Sequence, residues 1–304
     1  MQALFDNVSV LLIFAFIGWT LGKTHILSSQ NLKLLSVLLV WIFLPSKSFK
    51  SFSTHFTVAY FKEYYPLILV ALLLISALVL LNYLFVPRFV KGTYQQNVVR
   101  YSLTIPSFAY VGYVLMENVY GELMLLNAQM FSIPQTLYTC TEGYRLLTNA
   151  GKPSFKNMIT PSLVAMIVGS IFGITGLPLP NAINQVVTSS AACVGPISFI
   201  LTGITISNYS LKSLLQIKGT YIISFLRLVV TPIAICLVLH LFCSREIVTV
   251  ATLLYAMPCG LNTVVFPKMV GEDCKPGASL ALISNIACLF TVPVCMQFME
   301  YLYH

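Results

Sequence analysis

The stretch AMPCGLNTVVF, residues 256–266, decides the fold because it places a proline, a glycine and polar side chains inside an apolar segment. Pro258, Gly260 and Asn262 follow one another at two-residue steps, and the residues on both sides are apolar enough to form a helix. Proline removes a backbone donor and clashes with the carbonyl one turn back. In lipid, such an interruption is tolerated only where protein or a cavity surrounds the freed backbone groups. The stretch therefore predicts a broken helix whose break is enclosed.

The composition is that of a polytopic, all-α membrane protein. Of the 304 residues, 58% are apolar and 9% are charged, whereas soluble domains carry about 25% charged residues. Several apolar runs, such as residues 66–86, exceed the ~18 residues that cross a bilayer. The N-terminal stretch carries Asp6 and lacks the basic start and cleavage pattern of a signal peptide, so we interpret it as the first membrane helix.

Apolar runs between polar interruptions predict ten transmembrane helices joined by short loops. The predicted spans are 6–22, 31–50, 64–86, 98–120, 122–146, 158–176, 184–207, 218–242, 247–270 and 277–302. With the N-terminus outside, the inner loops hold twelve of the 17 Lys and Arg residues and the outer loops hold four. Because cytoplasmic loops carry the excess of positive charge, we expect a multi-pass protein of the cytoplasmic membrane with both termini outside. The net charge of +8 then requires no nucleic-acid partner.

Glycines and prolines recur in the second half of the chain after 151 or 152 residues. The matching pairs are Gly18 and Gly169, Gly22 and Gly173, Pro45 and Pro196, and Pro106 and Pro258. Each half, residues 1–150 and 151–304, contains five predicted helices. An odd number makes the second copy enter the membrane from the opposite face, which predicts two inverted repeats of one transport unit. Helices four and nine correspond and both carry a mid-span proline, so we expect both to break and to cross near the bilayer midplane. Two simple kinks are the alternative.

Four stretches of the second half resemble the auxin efflux carrier family of bacterial and plant transporters. They are TPSLVAMIVGSIFGITGLPLP (160–180), GPISFILTGITIS (195–207), FLRLVVTPI (225–233) and AMPCGLNTVVFPKMVGED (256–273). The chain is most similar to the bacterial type, which is related to the inverted-repeat carriers of the bile acid–sodium symporter kind. The resemblance implies two inverted five-helix repeats, crossing helices four and nine, and a homodimer formed by scaffold helices. It also implies secondary transport of an organic anion, such as malate or malonate in bacteria or auxin in plants.

The match to the family is closer in helix nine than in helix four. Pro258 and Asn262 keep the family's spacing of a proline and an asparagine in helix nine. In helix four, Ser107, Ala109 and Val114 replace the family's asparagine, glycine and proline. Helix four is therefore expected either to break nearer to Pro106 or to be kinked.

The residues around the two breaks form the predicted substrate site. The N-terminus of a half-helix offers free N–H groups and the positive end of the helix dipole, which favour a carboxylate. Neutral polar side chains beside the breaks add hydrogen bonds that a departing substrate can give up. The predicted substrate-binding residues are Pro258, Asn262, Thr263, Pro106, Ser107, Tyr110 and Ser102.

Two basic residues are candidates for attracting an anion. Arg227 lies inside the eighth predicted span, where a charge marks a functional site by default; the alternative is a structural partner for backbone carbonyls. Lys47 lies near the outer end of helix two. It either draws anions to an outer vestibule or extends to the lipid headgroups.

Ion coupling has candidates of two kinds. Glu117 and Glu142 could exchange a proton, and the neutral oxygens of Asn127, Gln129 and Gln135 could bind Na⁺, although structural roles are the alternative for all five. We expect no cofactor beyond H⁺ or Na⁺. No metal site is expected either, because the eight cysteines form no CxxC or Cys/His cluster.

The function classes that remain are a carrier of a small organic anion and a related membrane protein that senses a ligand without transporting it. An embedded enzyme is disfavoured, because the sequence contains no HExxH or GxSxG motif and no acid pair at catalytic spacing. The sequence also lacks the GxxxxGK[ST] loop of ATP-driven pumps.

Overall fold

The computed structural model describes residues 2–27, 29–149 and 158–303, and this part of the chain is helical. Within those ranges the only strand-like pairing is an isolated antiparallel bridge between Pro106 and Cys259. The predicted all-α class is confirmed.

Nineteen α-helical segments are present in the described ranges, and we number them α1 to α19 in chain order. They are Gln2–Lys23, Ser29–Leu38, Leu44–His55, Val58–Tyr64, Pro66–Phe89, Thr93–Thr104, Tyr113–Tyr120, Glu122–Phe131, Ile133–Tyr138, Tyr144–Thr148, Pro161–Thr175, Asn181–Ala192, Val194–Ser207, Leu211–Leu215, Lys218–Phe225, Thr231–His240, Arg245–Tyr255, Asn262–Val270 and Lys275–Leu302. Four π-helical turns continue some of these helices, at Leu39–Phe43, Phe108–Gly112, Thr139–Gly143 and Leu226–Val230.

Six helical stretches are long and apolar enough to cross a membrane by length and composition. They are Phe5–Lys23, Leu32–His55, Val58–Phe89, Asn181–Ser207, Gly219–His240 and Lys275–Leu302. These stretches match six of the ten predicted spans.

The four remaining predicted spans, 98–120, 122–146, 158–176 and 247–270, do not meet that criterion for physical reasons. Two of them, 98–120 and 247–270, are divided by breaks. The span 122–146 carries several polar side chains that are buried in the protein, which lowers its hydropathy. The span 158–176 corresponds to the apolar α11, which has 15 helical residues.

Glycines bring two pairs of helices into backbone contact. A Cβ atom at Gly18 of α1 would lie 2.1 Å from the carbonyl oxygen of Ile200 in α13, and one at Gly169 of α11 would lie 2.9 Å from that of Phe49 in α3. Gly169 follows Gly18 by 151 residues, and Ile200 follows Phe49 by the same distance. The two contacts are therefore copies of each other with the halves exchanged. Small residues permit such close approach between membrane helices.

The interior and the periphery differ in how the helices are enclosed. Every residue of α17 from Ile247 to Tyr255 is buried, and α19 is buried along much of its length. In contrast, α5 exposes large apolar side chains such as Leu73 (71% exposed) and Phe89 (81%). An apolar outer surface around a polar-lined interior is the arrangement expected of a protein surrounded by lipid.

Candidate functional site

Two broken helices meet in the interior. In the first half, α6 ends at Thr104 and the helix resumes at Phe108; in the second half, α17 ends at Tyr255 and α18 begins at Asn262. The backbone N–H of Ser107 donates to the carbonyl of Pro258 at 2.9 Å. Helix four is therefore broken at Pro106 and not kinked, and its break is paired with the break of helix nine.

Each break uses the other's backbone or a nearby side chain to satisfy groups that a continuous helix would satisfy internally. Proline supplies no N–H, and the residue after each proline donates outside its own helix. Ser107 donates to Pro258, and Cys259 donates its N–H to Ser284 Oγ at 3.0 Å. Gly260 lies against Ser107, since a Cβ atom at Gly260 would lie 3.9 Å from Ser107 Cα. We call this region of contact, formed by Pro106 and Ser107 with Pro258, Cys259 and Gly260, the crossing.

The second half of helix four presents backbone donors to the crossing. The N–H groups of Phe108, Ala109 and Tyr110 make no hydrogen bond to any described residue, as expected for the first turn of a helix. Ala109 and Tyr110 are partly exposed. Three consecutive N–H groups at the positive end of a helix dipole form an arrangement that suits an anion.

The start of α18 differs from the start of the second half of helix four, because some of its N–H groups are hydrogen-bonded within a turn. The N–H of Thr263 donates to the Gly260 carbonyl at 3.2 Å, and that of Val264 donates to the Leu261 carbonyl at 2.8 Å. The turn at residues 260–264 thus uses the N–H groups of Thr263 and Val264, whereas those of Phe108, Ala109 and Tyr110 are unbonded.

Asn262 is the side chain of helix nine that is best placed at the crossing. It is only partly buried, and its Nδ2 donates to the Tyr101 hydroxyl of α6 at 3.0 Å. Tyr110 precedes Asn262 by 152 residues and is its counterpart in the first half. Tyr101 was not predicted, because its contact joins residues 161 positions apart without a local pattern. Gly143 makes room for it: a Cβ atom there would lie 2.8 Å from the Tyr101 ring.

The hydroxyls of Thr263 and Ser102, both predicted to bind substrate, are hydrogen-bonded to backbone carbonyls in this structure. Thr263 Oγ1 donates to the carbonyls of Gly260 (2.9 Å) and Gly277 (3.4 Å). Ser102 Oγ donates to the Val98 carbonyl at 2.8 Å. Both side chains are fully buried. Short hydroxyl side chains readily bond to nearby carbonyls, so these two stabilise the backbone around the breaks.

Arg227 lies at the crossing and is fully buried on the π-helical turn Leu226–Val230. Its Nη1 donates to the Leu103 carbonyl at 3.2 Å, and its guanidinium carbon lies 5.4 Å from the centre of the Tyr255 ring. Its Nε and Nη2 atoms have no hydrogen-bond partner among the described residues. The predicted contact with a backbone carbonyl is present, and the charge lies between the two broken helices.

Lys47 lies away from the crossing and is neither extended to the surface nor free to attract an anion. Its side chain is 5% exposed, and its ammonium forms an ion pair with the carboxylate of Glu117, which is 24% exposed. Lys50, one turn after Lys47 on α3, donates from Nζ to Glu122 at 2.7 Å. The Glu122 carboxylate also contacts His55 Nε2 at 2.9 Å. These contacts join α3 to α7 and α8, so in this structure Lys47 links helices through Glu117.

The other candidates for ion coupling are dispersed. Glu142 forms an ion pair with Arg145 and accepts from the Tyr83 hydroxyl at 2.9 Å. Asn127 Oδ1 accepts from the Tyr60 hydroxyl at 2.7 Å.

Two buried glutamines form no such contacts. Gln129 and Gln135 are fully buried and make no hydrogen bond of normal geometry with described residues, although Gln135 lies beside the Tyr255 hydroxyl. Across the described ranges, no three His, Cys, Asp or Glu side chains are grouped as a metal site would require.

Comparison with known sequences identifies a family. The sequence profile described as "Membrane transport protein" matches the chain twice, over residues 3–157 and 145–296. The two matched ranges meet near the middle of the chain, where they overlap at residues 145–157, which agrees with the offset of 151 or 152 residues between the glycine and proline pairs. No curated protein matches the chain.

Proposed function

The chain belongs to the membrane transport protein family, the auxin efflux carrier family that its sequence resembles, and from this premise we propose that it is a secondary active transporter of a small organic anion. The substrate class is a carboxylate such as malate or malonate, or an auxin-like acid, carried by alternating access. The family consists of transporters and not of enzymes. The observation that carries the proposal is the crossing of two broken helices, joined by the hydrogen bond from Ser107 to Pro258.

The proposed architecture is ten transmembrane helices in two inverted five-helix repeats, residues 1–150 and 151–304. Two profile matches of similar length support it. The exchanged contacts, Gly18 with Ile200 and Gly169 with Phe49, support it independently. In such carriers the substrate site lies where the interrupted helices of the two repeats meet. The protein is multi-pass, and we place it in the cytoplasmic membrane with both termini outside.

The proposed anion site uses the first turn of the second half of helix four. The N–H groups of Phe108, Ala109 and Tyr110 bind the carboxylate. Asn262 and the Tyr110 hydroxyl add neutral hydrogen bonds from the two repeats, and the charge of Arg227 makes the crossing attractive to an anion. Pro106, Ser107 and Pro258 form the break, while Ser102 and Thr263 stabilise it. Neutral donors favour release as well as binding, which a transporter requires.

Two successive measurements test the proposal. A thermal-shift screen of the purified protein with malate, malonate, other small carboxylates and indole-3-acetate identifies ligands that stabilise the fold. Uptake of the labelled ligand into proteoliposomes, with imposed pH or Na⁺ gradients, then tests transport and identifies the driving ion, H⁺ or Na⁺. Binding without uptake would contradict the carrier and favour the second candidate, a ligand sensor, which is motivated by the departures from the family pattern at Ser107, Ala109 and Val114.

A homodimer through the scaffold helices is also part of the proposal. An apolar groove of about 670 Å³ lies between α3, α11 and α12 and includes Phe49 and the exposed Trp41. Mass photometry of the protein in nanodiscs would show a particle of twice the monomer mass; a monomer at all concentrations would contradict this element and leave the transport function untouched.

A further inference from the structure

The Leu103 carbonyl shows why an arginine lies at the crossing. In a continuous α-helix this carbonyl would accept the N–H of Ser107, four residues later. That N–H donates to Pro258 instead, so the break leaves the Leu103 carbonyl without its helical donor. Arg227 Nη1 supplies the missing hydrogen bond at 3.2 Å. The guanidinium thus satisfies the C-terminal end of α6, which is the negative pole of that half-helix.

The second break frees another helix end, and the last residue of that helix contacts the same guanidinium through its side chain. In a continuous helix the N–H of Cys259 would donate to the Tyr255 carbonyl, but here it donates to Ser284 Oγ. α17 therefore ends at Tyr255, whose ring centre lies 5.4 Å from the Arg227 guanidinium carbon. One cation therefore hydrogen-bonds the C-terminal end of α6 and packs against the side chain of the last residue of α17.

The charge of Arg227, and not its hydrogen-bonding capacity, is the feature that the site uses. Only one of its nitrogens has a partner among the described residues, whereas Nε and Nη2 have none. A neutral amide could supply that single hydrogen bond. Arginine keeps its charge inside proteins, and none of the ion pairs in the described structure includes Arg227. A buried charge without a counter-charge is costly, so the two helix dipoles are its compensation.

Carriers built from inverted repeats bind Na⁺ or H⁺ at the C-terminal ends of broken helices. We propose that Arg227 is a fixed cation that takes the place of a coupling Na⁺ at the crossing, so that anion transport by this chain does not require Na⁺. The inference rests on the proposed function. One residue serves both repeats, because the positions 151 and 152 residues earlier are Ser76 and Ile75, which carry no charge. Arg227 is a positioning residue that holds the two helix ends together.

Thermal unfolding of the purified protein tests the inference without reference to transport. The wild type should unfold at the same temperature in NaCl and in choline chloride of equal ionic strength. Arg227→Gln keeps a donor without the charge and should unfold at least roughly 2–4 °C lower in choline, the shift expected for 1 kcal/mol or more. Na⁺ should restore part of that loss by occupying the vacated position. Arg227→Lys keeps the charge and should resemble the wild type in both salts.

Arg245→Ala is the matched control, because Arg245 is 51% exposed and pairs with Glu300 at the periphery; it should show no response specific to Na⁺. An Arg227→Gln protein that equals the wild type in choline would overturn the inference, and so would stabilisation of the wild type by Na⁺. If Arg227→Gln fails to fold while Arg227→Lys folds, the charge requirement is supported. If neither variant folds, the comparison of salts on the wild type decides.

Uptake of labelled malate by wild-type proteoliposomes separates the failure of this inference from that of the proposed function. Equal uptake in Na⁺ and choline is expected. Uptake that requires Na⁺ would contradict the role of Arg227 as a fixed cation, but it would agree with the proposed transport function. If neither malate nor any other acid of the panel is taken up, the proposed transport function is contradicted. The unfolding measurements then still decide the role of Arg227.

Discussion

Asn262 is the residue whose side chain is expected to contribute most to binding from helix nine. Its amide is partly exposed at the crossing and keeps hydrogen-bonding capacity beyond the contact with Tyr101. A hydrogen bond to a charged ligand contributes about 1.5–3 kcal/mol, so Asn262→Ala should weaken binding of the transported acid about tenfold or more. Isothermal titration with the purified variant measures this. Asn118→Ala is the control, because Asn118 contacts Asn7 away from the crossing. Unchanged affinity in Asn262→Ala would place the site elsewhere.

Tyr101→Phe tests whether the tyrosine orients Asn262. The variant loses the hydroxyl that accepts from Asn262 Nδ2 and keeps the ring that packs against Gly143. We expect a loss of affinity smaller than that of Asn262→Ala, about 1 kcal/mol, because a hydrogen bond between neutral groups is removed. In the double variant the two losses should not add. Additive losses would show that Tyr101 acts independently of Asn262.

Among individual residues, those that act on their own helix could be predicted from the sequence. Pro106 and Pro258 could be inferred as break positions because they match across the repeat and lie mid-span beside polar residues. A proline alone is not sufficient, since Pro87, Pro267 and Pro293 lie inside helices. Partners across the chain could not be inferred. The contact of Lys47 with Glu117 spans 70 residues, and either side chain alone looks like an interfacial charge. Ser284, which accepts from the Cys259 N–H, could have been recognised as a repeat-related residue, since it follows Ser132 of the fifth helix by the repeat offset of 152 residues.

Between elements, the glycines of α1 and α11 set how closely the helices pack. Gly18→Ala would force a methyl group within 2.1 Å of the Ile200 carbonyl oxygen, which is backbone and cannot rotate away. Overpacking of this kind costs about 1–3 kcal/mol, so the unfolding temperature should fall by several degrees. Gly219→Ala is the control, because no atom lies within 4 Å of the added carbon. Equal unfolding temperatures for the two variants would show that α1 and α13 are not packed as described.

The ion pairs between α3 and α7 or α8 give a second prediction at the scale of elements. Lys47→Met leaves the Glu117 carboxylate without its partner in a largely buried place, which should destabilise the protein by about 2 kcal/mol, below the cost for a fully buried pair because Glu117 is 24% exposed. The double variant Lys47→Met with Glu117→Met should recover most of that loss. Arg245→Ala should cost under about 1 kcal/mol, because its pair is exposed.

Thermal unfolding of these four proteins, including the wild type, measures the differences. A double variant that is as unstable as Lys47→Met would show that the cost comes from packing and not from the unpaired charge.

Elements were predictable from the sequence where hydropathy alone determines them. Six of the ten predicted spans are recovered as long apolar helices. Helices four, five and nine are less apparent because they are surrounded by other helices and carry polar or helix-breaking residues. The four π-helical turns could not be foreseen, because an extra residue in a turn depends on packing against neighbouring helices.

For the whole molecule, we infer the orientation with both termini outside from the distribution of basic loops. Each of three ion pairs joins residues assigned to the same side of the membrane: Lys47 with Glu117 and Arg245 with Glu300 on the outer side, and Arg145 with Glu142 on the inner side. A cysteine added after residue 304 should react with a membrane-impermeant maleimide on intact cells. Lys268→Cys, exposed at the inner end, should react only after permeabilisation, and the unmodified protein gives the background of its eight cysteines. The reverse pattern would invert the topology.

Counterflow in proteoliposomes tests most directly that the crossing of helices four and nine is the site of an alternating-access carrier. Vesicles loaded with an unlabelled acid and diluted into a trace of the same labelled acid should accumulate label above equilibrium, because a carrier returns with the labelled molecule. The measurement uses the acid that the thermal-shift screen selects. We predict a transient overshoot for the wild type and for Asn118→Ala, and none for Asn262→Ala. Simple equilibration without overshoot, or an overshoot unchanged in Asn262→Ala, would contradict it.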